Sequence, residues 1–174
     1  MQYDDMIAFH GHSCPGLATG YAMTMAALDA LGEDRAPDEE LVAIVENDAC
    51  GVDALQYLSG CTFGKGNLIF HDYGKHVYTL YSRQTRRGVR VSWDRGKAPE
   101  AVREDRERYI EWLKSPAARQ CAQVREVTID APEPARIRDS VPCARCGEAT
   151  METRTRTIDG ESVCIPCAEA GAAG

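Results

Sequence analysis

Two C-x-x-C motifs near the end of the chain, Cys143–Cys146 and Cys164–Cys167, restrict its folding more than any other feature. Four thiolates arranged as two close pairs, flanking a segment of suitable length, meet the tetrahedral demand of a zinc ion at about 2.3 Å per bond. A tight turn ending in Gly147 lets the first pair converge on that ion. With all four positions filled by protein, the zinc has no opening for substrate and is expected to be structural. Two disulfides, or a redox dithiol, are the competing readings. Eight cysteines in 174 residues also bring a secreted disulfide scaffold to mind, but such scaffolds are shorter and lack the paired spacing. A reducing cytoplasm is the expected compartment.

Between the pairs, ATMETRTRTIDGESV reads as a hairpin with Asp159-Gly160 at its turn, and the second pair opens AEAGAA, a short helical stretch. Knuckle, hairpin and helix together resemble a treble-clef finger. So small a module has little core, and zinc is expected to supply most of its folding free energy, on the order of 10 kcal/mol.

The longer N-terminal part reads as an α+β domain. Leu17, Tyr21, Met25 and Leu28 recur at helical spacing, with Pro15 in the first turn and Gly32 at the stop. LVAIVE predicts a buried strand, and CGVDALQYLSG a second, short helix. After the turn GCTFGKGN come three strand candidates, NLIFHD, HVYTLYS and GVRVSW, close enough to predict an antiparallel sheet packed with helices. Pro99 to Lys114 carries Val102, Tyr109, Ile110 and Leu113 as an amphipathic helix would, with its arginines as a solvated face. A shorter helix through Cys121 and a strand at VREVTI close the domain. DAPEPARIRDSVP has the composition of a linker, so the expected domains are residues 1–134 and 135–174.

Chemistry in this domain gathers at FHGHSC. An extended backbone there projects His10, His12 and Cys14 to one face, a soft ligand set suited to a transition metal, zinc or similar. Cys14 precedes Pro15 at a helix start, where the dipole favours a thiolate. Cys50 is placed alike, between strand and helix, with Asp48 and Asp53 near it in sequence. Cys14 and Cys50 are therefore candidate catalytic thiols or ligands, sharing one pocket. Alternatively these cysteines and Cys61 are small buried hydrophobes and the histidines serve loop hydrogen bonds. Lys65 in GCTFGKGN is a weak candidate for binding an anionic ligand; the loop lacks the spacing of a nucleotide-binding P-loop. His71 and His76 are weaker ligand candidates still.

FHGHSCPGLATGYAM, ENDACGVDALQYLSGCTFGKGNLIFHDYGK and the CARCGE to CIPCA module resemble the FmdE family, named for a subunit of formylmethanofuran dehydrogenase, over nearly the whole chain. The resemblance implies an α+β core followed by a treble-clef zinc finger, association as a homodimer, and a context of oxidoreductase subunits. It carries over His10, His12, Cys14, Cys50 and Cys61 as a core site without making them catalytic. No cysteine-dense iron–sulfur run is present, so the chain cannot perform the parent enzyme's reaction alone.

Three functions remain open: a metal-binding subunit or accessory protein with a second, core transition metal or small ligand; a zinc-finger interaction or regulatory protein; and a stand-alone thiol-dependent enzyme with Cys14 as nucleophile and His10 or His12 as base. The formal net charge of −7 offers nucleic acid no general attraction, and acids offset Arg145, Arg154 and Arg156 in the finger. No stretch approaches the ~20 apolar residues of a membrane span, and the first residues lack a signal-peptide pattern.

Overall fold

In the computed structural model, which describes residues 3–172, the chain divides into two compact units, Met1–Ala135 and Arg136–Gly174. In the first unit, helix α1 (Tyr3–His10) leads to the long α2 (Pro15–Leu31), strand β1 (Leu41–Val45), helix α3 (Gly51–Ser59) and strands β2 (Leu68–Phe70), β3 (Val77–Ser82) and β4 (Gly88–Trp93). Helices α4 (Glu100–Arg103) and α5 (Arg106–Leu113) follow, then a 3-10 turn and β5 (Ala122–Val127).

The sheet runs in the order β2-β1-β3-β4-β5, antiparallel throughout except where β1 meets β2. The sheet is mostly antiparallel as expected, and the correction concerns NLIFHD alone, which pairs with β1 and not with the strand that follows it. Helix α3 carries the chain back over the sheet, so β2 re-enters parallel to β1, as a helical crossover requires. Strand β3 then takes the opposite edge of β1, placing Ala43 against Leu80. The β1 sequence LVAIV is nearly all buried, as suits an inner strand.

Helix α2 is the core helix. Alongside the expected Leu17 and Leu28, Ala18, Ala22, Met23, Ala26, Ala27 and Leu31 are buried, while Tyr21 and Met25 are only half-buried. A helix apolar on most of its circumference is one covered on most sides. It packs against α3, α5, β3 and β4. Leu17, Met23, Leu55, Tyr78 and Leu80 form the main cluster. Tyr109, Ile110 and Leu113 of α5 close over Ala18 and Ala22 in a second. The single amphipathic helix expected over Pro99–Lys114 is broken in two because Asp105 leaves the helical conformation and caps α5, its carboxylate accepting from the Glu107 and Arg108 N–H groups at 2.9 Å.

The second unit holds two hairpins, β6 (Ser140–Pro142) with β7 (Ala149–Met151) and β8 (Thr155–Ile158) with β9 (Glu161–Cys164), then α6 (Ile165–Ala172). Asp159 and Gly160 turn β8 into β9 with φ of 51° and 83°, the paired positive φ of a type I′ turn.

Candidate metal centres

In the second unit, Cys143 to Gly147 form the knuckle, closed by the Gly147 N–H donating to the Cys143 carbonyl at 2.9 Å. The four cysteine sulfurs lie within 4.8 Å of one another. Cys146 Sγ is 3.9 Å from Cys164 Sγ, against about 3.8 Å for the edge of a tetrahedron of 2.3 Å zinc–sulfur bonds. Backbone N–H groups, those of Cys146 and Cys164 foremost, hold the Cys143 thiol down to about 6. Cys167, crowded first by Cys164 and then by Cys146, is pushed up to about 12. Four thiols this close ionise together only around a cation, so the residues fit a zinc ion.

The core contains a second cluster, with ligand atoms of His10, His12, Cys14 and Cys50 also within 4.8 Å of one another. The route to it differs from the extended strand expected at FHGHSC. His10 is the last residue of α1, and Gly11 (φ 96°) reverses the chain before Cys14 caps α2. The Cys14 Sγ accepts from the Leu17 N–H at 3.3 Å, as the expected position at a helix start allows. Cys50 occupies the N-cap of α3 without a side-chain cap bond. Two helix N-termini thus meet at two thiols. Burial, then the Cys14 thiol beside it, push the Cys50 thiol up.

Their approach depends on glycine. A methyl group on Gly20 of α2 would stand 2.7 Å from the Gly51 carbonyl carbon, so α2 and α3 touch backbone to backbone. His10 is oriented for metal binding. Its Nδ1 is 2.6 Å from Asp53 Oδ2, while Nε2 is buried and has no hydrogen-bond partner among the described residues. A carboxylate on one ring nitrogen leaves the other free to ligate, the outer-shell arrangement of metal-bound histidines. The ring of exposed His12 lies 4.5 Å from that of His10. Two imidazoles, one of them with an orphaned buried nitrogen, and two thiols fit a late transition metal.

Other candidates fall elsewhere. Cys61 follows the far end of α3, nine residues long, about 14 Å from Cys50 at 1.5 Å per residue, beyond any shared ion. Burial pushes its thiol up to about 11, the state of an inert core cysteine. The Lys65 ammonium donates to the Asp38 carbonyl at 2.7 Å, also past the far end of α3, so it does not line the cluster. His71 and Asp48 are exposed and outside it.

The sequence pattern marks the arginines after Pro99 as solvated, yet Arg103 and Arg106, with Arg95 ahead of them, line a cavity of about 550 Å³ together with Gly16, His76 and Trp93. A Cβ on Gly16 would lie 3.7 Å from Cys14 Sγ and 3.8 Å from Cys50 Sγ, so the cavity adjoins both thiols. The one available signal is Asp105, a cap residue that splits the arginine-bearing segment between Arg103 and Arg106.

Fold and site together define an α+β metal-site protein with a four-cysteine zinc finger. Residues 9–132 match the family described as "FmdE, Molybdenum formylmethanofuran dehydrogenase operon", and residues 136–170 match the prokaryotic dksA/traR C4-type zinc finger. The chain belongs to the FmdE family. A solved structure of a tungsten formylmethanofuran dehydrogenase FmdE-like protein from Syntrophus aciditrophicus is similar at a TM-score of 0.73 and 30% identity, covering 97% of this chain and 91% of that one. A protein of Archaeoglobus fulgidus named "Probable S-adenosyl-L-methionine-binding protein" is 30% identical over 92% of this chain, which spans 50% of that relative's length. Among the described residues, no helix is long and apolar enough to cross a membrane.

Proposed function

We propose that this chain is a metal-binding subunit or accessory protein of oxidoreductase metabolism. Its core holds one late transition ion, zinc or a similar metal, on His10, His12, Cys14 and Cys50, while the finger serves as a docking or stabilising element. The observation that carries this reading is His10, whose Nδ1 is fixed by Asp53 while its buried Nε2 has no other partner among the described residues. Among the described residues no cysteine is disulfide-bonded and six are gathered into two metal-ligand clusters, which supports a reducing cytoplasm. Exposed Phe70 and Tyr73, at and just beyond the end of the sheet-edge strand β2, support a homodimer.

The name of the archaeal relative brings S-adenosylmethionine into view as the small ligand. The cavity is large enough for it. Three arginines against Glu104 do not favour a molecule with a net positive charge. The proximity of Cys14 to two imidazoles also keeps thiol catalysis open, and metal protection distinguishes the two roles: a ligand thiolate resists alkylation once metal is bound, whereas a nucleophile stays reactive.

Cobalt(II) titration of the wild-type chain and of Asp53→Asn tests the metal reading. Losing the carboxylate should weaken the core site about 10- to 100-fold while the finger still loads. Equal cobalt affinity in the two proteins would contradict the role given to His10.

A further inference from the structure

We propose that the cavity beside the core cluster binds a small organic oxyanion, a carboxylate or phosphate ester with a flat apolar body, held by Arg103 and the charges around it. This deepens the proposed function by naming the class of molecule presented next to the metal ligands, and it rests on that reading only for the metal's presence.

Charge favours an anion here. The chain carries a formal −7, yet this cavity is lined by Arg95, Arg103 and Arg106 against the single carboxylate of Glu104. A cationic concavity on an acidic protein concentrates anions locally. Bonding capacity is also left unfilled. Arg103 Nε is buried and has no hydrogen-bond partner among the described residues. A guanidinium stays protonated, so this N–H is a permanent buried donor whose loss of hydration requires an acceptor. His76 Nε2, on the same cavity wall, is likewise buried and unpartnered. Burial pushes the His76 pKa down, so near neutral pH the ring offers a donor or an acceptor without adding charge. Arg106 is partly used already, donating to the Ser13 carbonyl at 3.0 Å. Arg95 lies over the Tyr109 ring, 5.6 Å from its centre, and remains available at the rim.

Shape narrows the class further. Trp93 and Tyr109 supply aromatic wall, which suits a flat apolar body more than a bare inorganic ion. Gly16, on the inner wall of the cavity, backs onto both core sulfurs. An anion anchored at Arg103 therefore lies beside the cluster, across Gly16 from it, with its body along Trp93.

Calorimetric titration of the metal-loaded full chain tests this with four probes: benzoate, phenyl phosphate, neutral benzamide and S-adenosylmethionine. Saturable binding of benzoate or phenyl phosphate is expected, the tighter one identifying the head group, with benzamide and S-adenosylmethionine at least about 10-fold weaker. Arg103→Met should weaken the anion at least about 10-fold. Arg95→Gln, at an exposed residue whose loss spares the core, should weaken it a few-fold. Anion binding with no core metal in the wild type would sink the metal reading and leave this one standing. No anion binding up to millimolar concentration, equal binding of benzamide, or tighter binding of S-adenosylmethionine would overturn the oxyanion assignment.

Discussion

Gly20→Ala probes the link between helix packing and the core site. The new methyl would meet the Gly51 carbonyl oxygen, Cα and carbonyl carbon, the last at 2.7 Å, and each of these is backbone that cannot rotate aside. Restoring an ordinary contact of about 3.5 Å to that carbon alone requires α2 and α3 to separate by about 0.8 Å, and the nearer oxygen and Cα require more. Overpacking of this kind costs about 1–3 kcal/mol, and the better helix propensity of alanine returns about 1 kcal/mol. With three backbone atoms in the way the cost lies at the upper end of that range, and a net loss of about 2 kcal/mol should lower the melting temperature of the core by about 4–8 °C. The displacement falls on Gly51, the residue next to Cys50, while Cys14 caps the other helix. Metal–ligand distances tolerate only about 0.2 Å, so core-metal affinity should drop at least about 10-fold, with zinc in the finger unchanged. Thermal unfolding and competitive metal titration read the two effects separately. An unchanged melting temperature, or a lowered one with wild-type core affinity, would refute the claim that glycine-mediated helix contact sets the site.

Cys143→Ser should release the finger zinc and expose residues 136–170 to protease, because a module with so small a buried cluster depends on its metal; a zinc-retaining, protease-resistant variant would defeat the assignment. Burial lowers the His76 pKa, so the unfolded chain binds the proton more tightly; stability is fully present above the free imidazole value and falls as pH drops through it. Chemical denaturation between about pH 7.5 and pH 5.5 should therefore cost wild type more stability than His76→Asn, and equal pH dependence would show that His76 is not buried neutral.

Much of this architecture is legible because it rests on local signals. Pro15 and Gly32 bracket α2, Asp159-Gly160 makes its hairpin turn, and the paired cysteines announce their metal. The parallel placement of β2 is hidden, since NLIFHD and HVYTLYS are neighbours in sequence but lie on opposite sides of β1. Strand partners follow from the α3 crossover, a tertiary fact that local pattern does not encode. His10, His12 and Cys14 stand out as candidate ligands, but through the wrong geometry: a helix end and a left-handed glycine bring them together, where the alternation of residues predicts an extended strand. Cys61 looks equivalent to Cys50 because spacing says nothing about which end of a helix a cysteine occupies. Arg103 reads as surface because a guanidinium's burial depends on the cavity that forms around it.

Whether the chain carries two separate metal centres, one in each unit, is decided by elemental analysis of the metal bound to the purified full chain, to Cys50→Ser and to a chain ending near Pro134. Two ions per full chain are expected, with one in Cys50→Ser, retained by the finger, and one in the shortened chain, retained by the core. A single ion in the full chain that survives Cys50→Ser and disappears on shortening would contradict the core site.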